Sequence, residues 1–356
     1  MRDGLEATYE STPRPTLIYP FEATPEIGVQ AVDIAAGVKW LRMPLQGPLG
    51  AINVWAIAEA GGWAIVDTGI GGEPTMDSWR KAFAGPLKNL KVTRVFVTHL
   101  HPDHMGMAGW LTRKFDARLW TSRLEFLMCR SLAADTGREA PEDGLRFYRE
   151  AGWSEDDIET YRARFGGFGR ALHALPDSFH RVNDGDEFVI GDHSWRVVIG
   201  SGHSPEHVCL HCPDLQVFIT GDQVLPRISS NVSVFPTEPD ADPLREWLSS
   251  LARIKSRVGD EVLVLPAHNE PFFGLHARLD HLIGGHERAL ERLVEKLGEP
   301  KRAIDVFGVL FRRTVDADVI GLATGESLAH LNCLIGRGQA VRERDSAGVN
   351  WYRAAA

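Results

Sequence analysis

Four apolar runs in this chain each end, within a few residues, on a side chain able to ligate a metal. That repetition restricts the fold more than any other property of the sequence. Val95-Phe96-Val97 leads to His99, and Val197-Val198-Ile199 leads to His203. Val217-Phe218-Ile219-Thr220 leads to Asp222, and Val262-Leu263-Val264-Leu265 leads to His268. Short β-branched runs bounded by turn residues read as buried strands. A layered α/β fold gathers side chains from such strand ends, because the loops there are where distant stretches of chain meet. Singly, His203, Asp222 or His268 could be structural; their repeated placement after an apolar run points all three toward metal binding.

The densest signal lies in Thr98-His99-Leu100-His101-Pro102-Asp103-His104. In an extended segment positions i and i+2 share a face, so His99 and His101 can converge on one ion. Asp103 and His104 follow at the turn, are aimed differently, and could serve a second ion. Imidazole nitrogen mixed with carboxylate oxygen suits zinc or iron.

Several function classes are excluded by what surrounds this motif. The formal charge of −9 argues against a strongly electrostatic nucleic-acid binder. Cys129, Cys209, Cys212 and Cys333 are too few for a disulfide framework in 356 residues. The pair Cys209 and Cys212 has no second pair to complete a zinc site and falls in a strand-like run, which predicts burial. The first 30 residues hold no apolar core of a signal peptide, and no window approaches a membrane span. A cytoplasmic, membrane-free protein is expected.

Along the chain, residues 1–30 carry Pro13, Pro15, Pro20 and Pro25 and read as an irregular arm. Strand-like runs fill Val38 to Asp67, ending in Asp67-Thr68-Gly69. Val92 to Val97 is a further strand, and Met105 to Phe115 has helical spacing. Residues 121–180 are helix-prone, charged and aromatic, and interrupt the ligand-bearing strands as a cap. Strands resume from Glu187 to Leu265. A long helix over about His276 to Leu297, two shorter helical patterns and a hairpin around Asp345 close the chain. The expected domains are a catalytic unit over 31–275 and a small unit over 276–356.

At these residues the chain resembles the metallo-β-lactamase-fold superfamily. The matching elements are Asp67-Thr68-Gly69, His99 to His104, Gly202-His203, Gly221-Asp222 and Ala267-His268, in the family's order. The resemblance implies an α/β architecture, an αβ/βα sandwich of two mixed sheets with helices outside. It also implies a dinuclear site holding two divalent ions, zinc first, with iron or manganese as alternatives. His99, His101 and His203 would hold one ion; Asp103, His104 and His268 the other; Asp222 would bridge them. Asp67 would orient a ligating imidazole. Glu206 stands where many relatives carry glycine, so His207 is read either as a supporting residue or as a buried, satisfied histidine.

Two ions sharing a water lower its pKa toward neutrality, and the hydroxide so formed can attack a carbonyl. Asp103 and Asp222 hold charge and geometry there, and one can accept a proton. The expected activity is hydrolysis of an ester or thioester, with lactones close behind, acting on a small-molecule substrate. Endoribonuclease or phosphodiesterase activity and mononuclear iron persulfide dioxygenation are the competing readings. Candidate substrate contacts are Arg227 and Asn231 after Asp222, and Tyr148 and Tyr161 from the cap. The C-terminal order of helices and hairpin is that of a winged-helix module, and its Ser327 to Leu334 run resembles a glyoxalase-II-like subgroup. That unit carries 12 basic against 11 acidic residues between His276 and Ala356, poor footing for phosphate recognition. It is expected to pack beside the catalytic mouth or at a homodimer interface. His276, His281, His286 and His330 are read as surface or packing residues.

Overall fold

The alternation of apolar side chains along the strands produces two stacked sheets, each buried on both faces. The computed structural model describes residues 15–312 and 314–355. The first sheet comprises β1 (Val32–Ala35), β2 (Val38–Pro44), β3 (Ala51–Glu59), β4 (Gly62–Val66), β5 (Lys91–Phe96), β6 (Arg118–Thr121) and β7 (His180–Arg181), in sequence order. Its first half is antiparallel, and from β4 onward the pairs are parallel. The second sheet comprises β8 (Glu187–Ile190), β9 (His193–Gly200), β10 (His207–Cys212), β11 (Val217–Gly221) and β12 (Leu263–Pro266). Only its β11–β12 pair is parallel.

Period-two alternation decides which face each residue serves. Val197, Leu210, Ile219 and Leu265 turn inward to meet Trp40, Trp55, Val66 and Phe96 of the first sheet. Their neighbours Val198, Cys209, Phe218 and Val264 turn outward onto helices. The first sheet is covered outside by α1 (Glu73–Ala84), α2 (Pro102–Met105), α3 (Ala108–Phe115) and α4 (Arg123–Ala134), through Trp79, Phe83, Met105, Leu111 and Phe126. The helical spacing over Met105 to Phe115 is thus split in two. It breaks where the Met107 N–H leaves the helix to donate to the Gly69 carbonyl at 3.1 Å.

The insert over 121–180, expected as a cap, consists of helices, as its composition indicates: α4, α5 (Glu142–Glu150) and α6 (Glu155–Arg164), with β7 as an edge strand that the sequence did not announce. The second sheet is covered by α7 (Pro243–Arg257) and α8 (Leu275–Lys296). The short α9 (Phe307–Leu310), α10 (Ile320–Gly336) and a hairpin of β13 (Ala340–Arg344) and β14 (Asn350–Ala354) complete the chain. Every residue of α10 from Ala323 to Leu334 is buried, so this helix is the centre of the C-terminal region. Of the N-terminal arm, residues 1–14, Pro13 among them, lie outside the described residues. Beyond them Ile18 pairs with Phe273 through two backbone hydrogen bonds of 3.2 and 2.9 Å. All four cysteines are buried free thiols. No helix among the described residues is long and apolar enough to cross a membrane.

His286 and His330 are fully buried between α8 and α10, with 3.3 Å between Nδ1 of the first and Nε2 of the second. Burial holds His330 down at about 4, and burial and then His330 hold His286 well below its ordinary value. Both are therefore neutral in the native chain. As the pH falls from the ordinary histidine value toward 4, the unfolded chain takes up protons that the folded chain refuses. Stability should drop by up to roughly 1.4 kcal/mol per pH unit for each histidine. Urea unfolding of wild type and His330→Gln at pH 7, 6 and 5 checks this. The wild type should lose more stability per pH unit, and parallel losses would refute the assignment.

Candidate metal centre

The sheet order places the ligand-bearing loops at one end of the sandwich. β4 and β5 run parallel, so Asp67 and Thr98 leave the first sheet side by side. β11 and β12 run parallel, so Asp222 and His268 leave the second sheet side by side. His203 sits in the loop joining β9 to β10, closed by the Gly200–His207 pair. Gly202, before it, has φ +99°, and an added Cβ would lie 2.5 Å from the Pro243 carbonyl oxygen, so the loop requires glycine there.

Ligand atoms of His99, His101 and His203 converge, as do those of His99, His104 and Asp222, and those of Asp103, His104 and His268. His99 Nε2 is 2.8 Å from His101 Nδ1 and 3.2 Å from His203 Nε2. Asp222 spans the groups. Its Oδ2 is 3.6 Å from His203 Nε2, and its Oδ1 is 3.6 Å from His104 Nε2 and 3.5 Å from His268 Nε2. Asp103 Oδ2 lies 3.3 Å from His268 Nε2 and 3.7 Å from His104 Nε2.

The outward nitrogens of these imidazoles are engaged by the protein. Asp67 accepts from His104 Nδ1 at 2.9 Å while also accepting from the Thr98 N–H at 2.8 Å. His203 Nδ1 donates to the Asn231 carbonyl at 2.7 Å, and His268 Nδ1 faces the Ala51 carbonyl at 3.3 Å. His207 is buried, stacks on His99 with centroids 4.7 Å apart, and accepts the Asp222 N–H on Nε2 at 3.1 Å. Fixing one ring nitrogen in this way sets both the tautomer and the direction of the other.

Charge divides the cluster into two halves. Burial, then neighbouring imidazoles, hold His99 well below its ordinary value; burial and His203 hold His101 at about 3. These rings are neutral and offer lone pairs. On the other side burial would depress His104, but Asp67, Asp103 and Asp222 outweigh it and raise the group well above its ordinary value. His268 is likewise raised against burial by Asp222 and Asp103. Burial would raise Asp103, but His104 and His268 hold it at about 2. A proton shared in that half stands where a cation would be favoured. His104 Nε2 and Asp222 Oδ1 are both buried without a hydrogen-bond partner among the described residues, an expensive arrangement unless something else binds them. Neutral imidazoles on one side, ionised carboxylates on the other and these partnerless atoms between them fit a divalent metal.

The structure brings together His99, His101, Asp103, His104, His203, Asp222 and His268, with Asp67 and His207 behind them. It does not bring the proposed substrate contacts in the same way. Tyr148 and Tyr161 lie in the apolar cluster that α5 and α6 share with the C-terminal helices, their rings 4.7 Å apart and Tyr148 stacked at 4.1 Å on Trp153. There α5 and α6 pack on each other, and the Trp153 N–H donates to the Thr324 hydroxyl of α10 at 2.8 Å. Arg227 is paired with Glu270 at 2.9 Å and lies over the Tyr19 ring. Asn231 contributes its carbonyl to His203, and its side-chain amide donates to Glu326 of α10 at 2.8 Å. It is a structural link between the C-terminal region and the centre.

Glu125 of α4 had no place among the sequence candidates. It is fully buried and accepts from the Leu100 N–H, the Ser204 hydroxyl and the Glu206 N–H, each at 2.8 Å. Burial pushes its carboxyl up to about 7 against the pull of those donors. Glu206 in turn accepts the Leu124 N–H at 2.9 Å at the start of the same helix. The glutamate standing at a position where glycine was expected therefore anchors the His203 loop to α4.

Known proteins share this geometry's framework along most of the chain. A family model described as the metallo-beta-lactamase superfamily matches residues 47–268, and one described as the metallo-beta-lactamase-like C-terminal domain matches residues 290–355. A beta-lactamase domain protein from Burkholderia ambifaria is similar at 38% identity and TM-score 0.87, over 95% of this chain and 98% of that one. A metallo-beta-lactamase family protein from Thermus thermophilus is similar at 25% identity and TM-score 0.75, over 90% of this chain and all of that one. An atrochrysone carboxyl ACP thioesterase from Aspergillus fumigatus is 23% identical over 72% of this chain, which spans about half (47%) of that protein's length.

Proposed function

Because the chain belongs to the metallo-β-lactamase superfamily and carries its C-terminal domain, we propose that it is a metal-dependent hydrolase cleaving an ester or thioester, lactones included, of a small acyl substrate. The observation that carries the reading is the convergence of seven ligand-type side chains, two of which hold buried atoms, His104 Nε2 and Asp222 Oδ1, without a hydrogen-bond partner among the described residues. The thioesterase from Aspergillus fumigatus, similar over most of this chain, supports the thioester arm. We read the C-terminal helices and hairpin as a winged-helix-like unit of a glyoxalase-II-like protein.

His99, His101 and His203 would hold one ion, and Asp103, His104 and His268 a second, with Asp222 facing both. Divalent ions, zinc first, supply there an acidified water and a Lewis acid for the electrophile. The chain's own residues do the rest. Asp67 fixes the direction of His104, and the Asn231 carbonyl fixes that of His203. Asp103, with 20% of its side chain exposed against 11% for Asp222, is the carboxylate more open to water. Asp222, its N–H on His207, keeps the charge between the two histidine groups.

Elemental analysis of protein purified without chelators, followed by a panel of aryl esters, acyl thioesters, lactones and unstructured RNA, tests the reading. Two zinc per chain with chelator-sensitive thioester or ester hydrolysis supports it. One iron per chain with oxygen consumption on a persulfide replaces it, and metal-dependent cutting confined to RNA replaces it with a nuclease.

A further inference from the structure

We infer that Glu125 is a positioning residue for the three-histidine side of the centre, clamping the loop of His99 and His101 to the loop of His203. The inference rests on the reading that these histidines hold a metal. Ser122 and Glu125 have the Ser-x-x-Glu spacing of a helix capping box, in which the glutamate would turn back onto its own helix. Here the carboxylate is directed elsewhere. Oε2 accepts the N–H of Leu100, the residue between His99 and His101. Oε1 accepts the Ser204 hydroxyl and the Glu206 N–H, one and three residues beyond His203.

The two loops belong to different sheets, one following β5 and the other joining β9 to β10. His99 and His203 must nevertheless keep their Nε2 atoms 3.2 Å apart. A single buried carboxylate with one oxygen on each loop fixes that separation. Its solvation by three N–H and O–H donors replaces the water it has lost, so the arrangement is rigid: releasing either loop would leave a buried carboxyl oxygen short of a partner. Groups that orient ligands from outside the coordination sphere typically control metal affinity about 10–100-fold.

Glu125→Gln discriminates this clamp from simple core packing. The amide retains volume and one oxygen. If that oxygen keeps Ser204 and Glu206, the amide NH2 is set against the Leu100 N–H, donor against donor. Metal-free wild type and Glu125→Gln are titrated with cobalt(II), reading affinity and the visible ligand-field spectrum, with far-UV circular dichroism as the control for folding. We expect Glu125→Gln to fold, to bind cobalt about 10–100-fold more weakly and to show a changed spectrum. Glu125→Asp should recover part of the affinity. A folded Glu125→Gln with wild-type affinity and spectrum overturns the inference, whereas a wild type that binds no cobalt overturns the metal reading itself. Should Glu125→Gln not fold, Ser204→Ala removes one of the three donors. Weaker cobalt binding by that variant supports the clamp, and unchanged binding overturns it.

Discussion

Asp222→Ala should abolish the centre while leaving the fold in place, with turnover falling by more than the roughly hundredfold typical of an outlying support. Asp222 is the one carboxylate that faces both histidine groups, with Oδ2 toward His203 and Oδ1 toward His104 and His268. Its removal leaves His104 Nε2 without the negative partner nearest to it across the centre and leaves the two halves unconnected. The backbone of residue 222 stays held, because its N–H donates to His207 and its carbonyl accepts from Ser230. The loss should therefore be chemical and not conformational. Metal per chain and hydrolysis of the best substrate are measured together, with circular dichroism as the control. A variant that keeps its full metal complement and its turnover would show that Asp222 is not a ligand.

Adding zinc to metal-free protein should raise the melting temperature by about 5 °C per tightly bound ion. A ligand at a thousand times its dissociation constant stabilises the native state by about 4 kcal/mol. An unfolding entropy near 2.1 cal/mol/K per residue, applied to 356 residues, converts this to roughly 5 °C. The cluster directs neutral imidazoles at one another and holds His104 Nε2 and Asp222 Oδ1 buried without a hydrogen-bond partner among the described residues. A cation relieves both defects at once. Thermal melts with and without zinc, and again after chelation, give the shift and its reversal. Melts that superimpose would argue that the cluster does not bind zinc under those conditions. Asp222→Ala should lose most of the shift, which separates a specific site from zinc held on surface histidines.

The cluster of candidate ligands was legible because it depends on short-range pattern. A buried strand must end at the sheet's edge, and the residue after it is delivered into the loop whatever the rest of the fold does. His99, His203, Asp222 and His268 each follow such a run. The cap was legible as helical from its composition, but its tyrosines could not be assigned. An aromatic side chain on an amphipathic helix looks the same whether it faces a substrate or the helix beside it. Tyr148 and Tyr161 found each other and Trp153. Arg227 and Asn231 were noticed for standing near Asp222 in sequence, yet their side chains were taken up by Glu270 and Glu326, 43 and 95 residues away. Glu125 was not singled out, because nothing local tells which donors will surround a glutamate at the start of α4.

What the sequence by itself determined is the order of the ligand-bearing strands, the residue types at their ends, and hence a metal-binding chemistry. These follow from periodicity and from the few side chains that ligate metals at all. Only the tertiary structure decided which atoms direct and hold the ligands: the carbonyl of Asn231, the N–H of Asp222 on His207, and the carboxylate of Glu125 between two loops. Two of these are backbone groups, which every residue possesses and no sequence pattern distinguishes. The third acts across sheets that meet only when the sandwich closes. Their roles arise where the loops after β5, between β9 and β10 and after β11 meet, a long-range arrangement that the local signal does not carry.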